Sequence, residues 1–336
     1  LEEKVCQMFI VTPEELTGYD NVTYFDDVVR DSIEKYHVGG LIYFAENLES
    51  AEQTTDLTEN IQNYALESGN NIEMFIAVDE EGGYVARVAD KLNEENTGAV
   101  AYMETEEEAY NAGVNIAEYI SKYGFNLDFA PVADVGNDEA GRMYSDEPEM
   151  VSNFVKAAVR GYEKKNILCT IKHFPGLGKG EADTHDNLVQ VNVDLDTLQA
   201  QDLLPFREMF QQGNQDNFWI MVTHVTYSAL DEKNPASMSE VVMTNLLRNQ
   251  LGYNGIVITD DVDMGAIAKH YSFADVGVQA VQAGADIVLV CHDYDHEIEV
   301  YNGILSAVRD GSISKDRIDS SVKRIVRAKL MHLQSA

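Results

Sequence analysis

Ile167-Leu168-Cys169-Thr170-Ile171-Lys172-His173-Phe174-Pro175-Gly176-Leu177-Gly178 is the stretch that decides how this chain of 336 residues folds. Its first five residues form a short apolar run that reads as a buried strand. Lys172 and His173 then stand at the C-terminal end of that strand, where α/β proteins place their chemistry. Gly176, Gly178 and Gly180 let the chain turn sharply and move. The loop they open delivers Asp183-Thr184-His185, an acid two positions from an imidazole. An Asp so placed can orient the His and tune it as a proton donor near neutral pH.

Seven more short apolar runs have the same look. The spacing predicts strands at Gln7–Val11, Gly40–Phe44, Met74–Asp79, Leu127–Asp134, Leu168–His173, Phe218–His224, Gly255–Asp260 and Asp286–Cys291. Each is followed by a segment able to form a helix. Ser50–Tyr64 opens on a serine, Thr105–Tyr123 is acidic in its first turn, and Met150–Lys164 ends in a lysine. Ile318–Leu333 has apolar residues at helical spacing and closes the series. Eight such units predict an α/β fold, a single (β/α)8 TIM-like barrel. No Ser/Pro-rich linker divides the chain, so residues 1–336 read as one domain. A doubly wound sheet is the alternative, but no glycine-rich phosphate fingerprint follows the first strand.

Composition narrows the partners. With 24 Lys and Arg against 58 Asp and Glu, the formal charge is -34. That argues against nucleic acid and anionic membrane surfaces, both of which require clustered basic residues. No apolar run approaches the roughly 20 residues of a membrane span. The three cysteines, Cys6, Cys169 and Cys291, lie in apolar or helix-like runs without metal spacing and read as buried free thiols. The first residue is Leu1, which points to a removed leader and to a bacterial cell envelope or extracellular location, with the cytoplasm as the alternative.

Charged residues gather at the predicted strand ends: Asp79 with Glu80 and Glu81, Asp134 with Arg142 beyond it, Lys172-His173, His224, and Asp260-Asp261. Burying such groups is costly unless they are paired or used, so together they predict a polar pocket at one barrel face. Carboxylates and basic groups in one pocket suit hydroxyl-rich ligands. They also suit retaining glycoside hydrolysis, with a nucleophile on one side of the sugar ring and an acid on the other. Asp260 is the candidate nucleophile, kept ionised by Lys172 nearby, and His185 oriented by Asp183 is the candidate acid and base. No cofactor is called for. Two other readings stay open. His173, His185, His224 and Asp260 could ligate zinc in a metal-dependent barrel hydrolase, although the first strand lacks a His-x-His pair. A sugar-binding protein without catalysis would need the same pocket. Asp261 and Asp263 also read as helix caps, Arg142 as a salt-bridging loop residue, and His224 as a satisfied strand-end histidine.

These residues resemble glycoside hydrolase family 3, and within it the β-N-acetylglucosaminidase (β-hexosaminidase) branch. Lys172-His173-Phe174-Pro175-Gly176-x-Gly178 followed by Asp183-Thr184-His185 is similar to the branch pattern KHFPGHG…DSH. Val78-Asp79-Glu80-Glu81-Gly82-Gly83-Tyr84-Val85-Ala86-Arg87 resembles its VDxEGGxVxR, and Asn126–Asp134 with Arg142 its NFAPVxDV…R. Ile258-Thr259-Asp260-Asp261-Val262-Asp263-Met264 is similar to the nucleophile segment. The resemblance implies a barrel domain of the family's N-terminal type and release of terminal β-linked N-acetylglucosamine from peptidoglycan- or chitin-type saccharides. It implies Asp260 as nucleophile, His185 as acid/base, Asp183 as its dyad partner, and Asp79, Arg87, Arg142, Lys172 and His173 as sugar-binding residues. Leu177 replaces the usual histidine, Lys179-Gly180 an Asp-Thr pair, and Thr184 a serine. Family β-glucosidases take a glutamate acid from a second domain, for which this length leaves no room, so a loop histidine is the expected donor. A donor of that kind does not repel phosphate, which keeps phosphorolysis beside hydrolysis as an alternative.

Overall fold

The structure, a computed structural model, describes residues 1–68, 71–178, 189–264, 267 and 269–333. Eight parallel strands among these close into a barrel: β1 Phe9–Val11, β2 Gly40–Tyr43, β3 Phe75–Val78, β4 Leu127–Asp128, β5 Leu168–Phe174, β6 Phe218–Val222, β7 Val257–Asp261 and β8 Ile287–Val290. Each pairs with its neighbour in the chain, and β8 returns to β1 through Phe9 opposite Val288. All eight C-terminal ends therefore face one side. The predicted (β/α)8 barrel is what the chain forms.

The strands are mostly apolar because both faces are covered, with the charged residues of β4, β5 and β7 gathered toward their C-terminal ends. The Phe75 and Trp219 rings, on β3 and β6, meet edge to face with centroids 4.6 Å apart. Those strands are not neighbours, so the contact crosses the barrel interior. The outer helices begin where their caps lie. Ser50 Oγ accepts from the Gln53 amide at 3.2 Å ahead of helix Ala51–Ser68. Thr105 and Glu108 form a reciprocal capping box on helix Glu106–Lys122. Ser314 caps Lys315–His332, three residues earlier than the apolar spacing alone predicts. Helices Glu106–Lys122 and Pro148–Lys164 approach at glycine: a Cβ on Gly161 would lie 2.5 Å from the Tyr110 carbonyl oxygen. The three cysteines are buried and free. No helix among the described residues is long and apolar enough to cross a membrane.

β4 departs from the expected Leu127–Asp134. Its ladder stops at Asp128, and only an isolated bridge from Val132 to Lys172 continues it. Pro131 inside the run has no N–H to give to a ladder.

The end of the barrel opposite the strand C-termini has its own ionic knot. Asp286, fully buried just before β8, accepts from Arg248 Nη2 at 2.6 Å, Arg324 Nη1 at 3.1 Å and Ser321 Oγ at 2.6 Å. Asp286→Ala leaves these guanidiniums without their partner. It is expected to cost about 3–5 kcal/mol in urea unfolding while KM for substrate stays at the wild-type value. A change in KM without loss of stability would contradict a purely structural role.

Candidate functional site

The site grows from β3. Immediately after Val78, Asp79-Glu80-Glu81 bends into a small hairpin in which Glu80–Gly82 pairs antiparallel with Val85–Ala86. Helix Arg87–Leu92 follows without a side-chain cap of its own. Glu80 supplies one from outside, accepting from the Val88 amide at 2.7 Å and the Ala89 amide at 3.0 Å, and from the Tyr119 hydroxyl at 2.8 Å. Burial pushes its carboxyl up to about 7 despite those donors. Through this cap Glu80 fixes the point where Arg87 leaves the backbone.

Arg87 Nη1 then reaches Asp79 Oδ2 at 2.8 Å, and Lys172 Nζ lies 2.7 Å from both Asp79 Oδ1 and Glu81 Oε1. Arg142 grips Glu81 with two parallel bonds of 2.8 Å, from Nε and Nη2. Three cations and two carboxylates thus alternate along one chain of contacts. Burial opposes ionisation of Asp79, but Lys172 and Arg87 outweigh it and hold its carboxyl well below the usual range. Burial likewise opposes ionisation of Glu81, yet Lys172 and Arg142 bring it down to about 2. Lys172 shows the converse: burial favours its neutral form, while Asp79 and Glu81 prevail and raise its pKa. Asp79, Glu81, Lys172 and Arg142 are therefore charged at neutral pH. Arg87 and Arg142 remain partly exposed, and their unused N–H donors can hold sugar hydroxyls.

His173 is set apart from this chain of charges. Its Nδ1 lies 2.7 Å from Asp134 Oδ2, and Asp134 Oδ1 also accepts from the Leu177 amide at 2.7 Å. One buried carboxylate thus orients the imidazole and anchors the loop that leaves β5. Gly176, at φ +126°, passes over Asp202 where a side chain would clash, and its carbonyl accepts from Tyr227 Oη at 2.6 Å. A Cβ on Gly178 would collide with the Val135 carbonyl. These two glycines serve close approach at the loop's root, where the sequence alone reads freedom to move. Asp183 and His185, the expected dyad, lie outside the described residues.

Asp260 stands at the C-terminal end of β7, partly exposed, with its Oδ1 accepting from the Asp261 amide at 2.9 Å. The expected partnership of Lys172 with Asp260 is not among its ion pairs. Among the described residues, Lys172 forms its ion pairs with Asp79 and Glu81. The zinc-ligand reading loses His224, which is fully buried and uses both ring nitrogens: Nδ1 meets Ser237 Oγ at 2.6 Å and Nε2 the Asp261 carbonyl at 2.8 Å. Asp261 and Asp263 tie β7 to the loop after β8. His292 Nδ1 lies 2.6 Å from Asp261 Oδ2, and Asp263 accepts from the His292 amide at 2.8 Å and meets His296 Nδ1 at 2.6 Å. Sequence reasoning assigned no role to Glu81. Two adjacent acids directly beyond a buried strand end were the available signal.

Comparison with known proteins agrees with this architecture. Residues 1–328 match the glycosyl hydrolase family 3 N terminal domain. Beta-hexosaminidase A of Pseudoalteromonas piscicida is 31% identical over 335 residues, covering 92% of this chain and 56% of that protein. The structure of a glycoside hydrolase family 3 beta-N-acetylglucosaminidase from Paenibacillus sp. superposes with a TM-score of 0.91 at 36% identity, over 99% of this chain and 62% of that one. A family 3 glycosyl hydrolase from Mycobacterium smegmatis gives 0.83 at 28% identity, covering 98% and 96%. The chain therefore spans little more than half the length of the first two relatives. With the barrel, the strand-end charges and these matches in agreement, the chain belongs to glycosyl hydrolase family 3.

Proposed function

We propose that the protein is a retaining, exo-acting β-N-acetylglucosaminidase that works through a covalent glycosyl-Asp260 intermediate. The observation that carries this reading is the alternating chain Arg87–Asp79–Lys172–Glu81–Arg142 at the mouth of a barrel that also presents Asp260. Asp79, Arg87, Arg142, Lys172 and His173 hold the terminal sugar by its hydroxyls. Asp260 attacks the anomeric carbon as the glycosidic bond breaks, and His185, oriented by Asp183, gives its proton to the leaving oxygen. The same His then removes a proton from the water that releases the sugar. The names of the relatives support N-acetylglucosamine as that sugar.

A panel of aryl β-glycosides (N-acetylglucosaminide, glucoside and xyloside), each with and without phosphate, tests the reading. Turnover of the N-acetylglucosaminide to free sugar, unaltered by phosphate, is expected. A sugar phosphate product would assign a phosphorylase, and preference for the glucoside a β-glucosidase. The role of His185 has its own signature. His185→Ala should slow an alkyl or saccharide leaving group by about 10²–10⁴-fold and an activated aryl one far less. Equal losses on both would remove His185 from the acid role.

A further inference from the structure

Beside the charged chain, at the same end of the barrel, the loops after β1, β2 and β8 enclose a cleft of about 380 Å³. That volume lies within the range of roughly 300–1,000 Å³ common to small-molecule sites. Tyr19, Phe44 and Tyr294 supply aromatic faces to it, and Asn21 and Asn47 supply amides. Asn47 is fully committed to the wall: its Oδ1 accepts from the Phe44 amide at 2.8 Å and its Nδ2 donates to Glu14 at 2.7 Å and to the Val22 carbonyl at 3.0 Å. The wall is therefore built before any ligand arrives.

Two contacts join this cleft to the residues already described. The Arg87 guanidinium lies over the Phe44 ring, 4.7 Å from its centroid, and Arg87 holds Asp79. The His292 ring lies with its centroid 6.0 Å from that of Phe44, tilted by 35°, and His292 pairs with Asp261, the neighbour of Asp260. The cleft is thus linked through Phe44 and His292 to the residues flanking the place where a terminal sugar would sit.

The charge of the lining is one-sided. Glu14, Asp20, Glu46 and Asp293 border it as carboxylates, and none of its lining residues is a lysine or arginine; Glu15 adds a carboxyl that burial keeps mainly protonated at neutral pH. His292, a lining residue able to become cationic, is already matched by Asp261 at 2.6 Å. Glu15 is 97% buried by its 3% exposure, and its Oε2 has no hydrogen-bond partner. Burial, together with Asp263 and Glu297, pushes its carboxyl up to about 8. An unpartnered buried oxygen in a polar cleft is left for a ligand's hydroxyl, amide or ammonium group.

Resting on the glycosidase reading above, we propose that this cleft holds the leaving part of the saccharide and selects its charge. It takes neutral or cationic amino-sugar units, N-acetylated or N-deacetylated, and turns away units that carry carboxylates. Aromatic faces stack on pyranose rings, while the carboxylates repel an anionic substituent and attract an ammonium. The natural substrate is thereby of chitin type and not a muropeptide with its lactyl and peptide carboxylates.

The test compares kcat/KM for N-acetylglucosamine β-linked to three acceptors: N-acetylglucosamine, glucosamine and N-acetylmuramic acid. At low salt the wild-type protein should favour the first two over the third by at least about tenfold, and added salt should narrow the ratio. Asp20→Lys with Glu46→Lys, both at exposed positions, should shift the ratio about tenfold toward the anionic acceptor, and Asp20→Asn with Glu46→Gln should shift it part of the way. Equal rates on all three acceptors, or a ratio unmoved by both pairs of substitutions, overturn the proposal while leaving the glycosidase reading standing. Failure to cleave an aryl N-acetylglucosaminide overturns both.

Discussion

Replacing Asp260 with alanine is expected to lower kcat on an aryl β-N-acetylglucosaminide by at least about 10³-fold, with little change in fold or sugar affinity. The large kinetic effect follows from the proposed nucleophilic role, in which no glycosyl-enzyme forms without the carboxylate and the acid alone cannot replace it. The small structural effect follows from the contacts. Asp260 is partly exposed, and among the described residues its side chain accepts one hydrogen bond, from the amide next to it. Among the described residues it pairs with no cation, so its removal strands no buried charge. The Tm of Asp260→Ala should stay within a few degrees of wild type, as for a substitution worth about 1 kcal/mol or less. N-acetylglucosamine should still bind through Asp79, Arg87, Arg142 and Lys172. A variant retaining a tenth of wild-type kcat would require another nucleophile. Loss of activity together with loss of sugar binding would instead place Asp260 in ligand affinity.

The barrel and its rim were legible because strand ends carry a simple signal: an apolar run interrupted by a charge. Lys172, Asp79 and Asp260 all stand where that signal placed them. Their pairing was not legible. Lys172 meets Glu81, which arrives on the hairpin of Glu80–Gly82 and Val85–Ala86 beyond β3, and that hairpin leaves no trace in the strand pattern. A linear reading therefore sent Lys172 to the most interesting acid, Asp260. The same limit applies to Asp134. As the end of a predicted strand it looked like a pocket residue, whereas Pro131 stops β4 early and leaves Asp134 to orient His173 and anchor Leu177. His224 shows the opposite case. Its type and position fitted a metal ligand as well as a structural histidine, and only its two spent ring nitrogens distinguish them. The acidic cleft between the loops after β1, β2 and β8 had no sequence signature at all. Its lining comes from three segments hundreds of residues apart in part, and loop composition says little about which loops meet.

Lys172→Met should be the most damaging single change to the rim. The methionine keeps the stem of the side chain and removes the ammonium that sits 2.7 Å from both Asp79 and Glu81. Glu81 keeps Arg142, and Asp79 keeps Arg87, but two adjoining carboxylates then face each other without the charge between them. Breaking a buried pair in this way costs about 3–5 kcal/mol, more than the loss of one hydrogen bond. The pH dependence identifies the cause. In the wild-type protein both carboxyl pKa values are depressed below their unfolded values, so their contribution to stability is present above the unfolded pKa and fades as pH falls toward the folded one. Without Lys172 both values rise, the carboxylates resist ionisation, and the variant is penalised most where they must be charged. The Tm gap between Lys172→Met and wild type should therefore be widest near pH 8 and shrink toward pH 5. Affinity for N-acetylglucosamine should fall at least about tenfold at either pH, because the ammonium that orders Asp79 and Glu81 is lost. A Tm gap that stays constant across this range would mean that packing of the lysine stem, and not its charge, is what the rim requires.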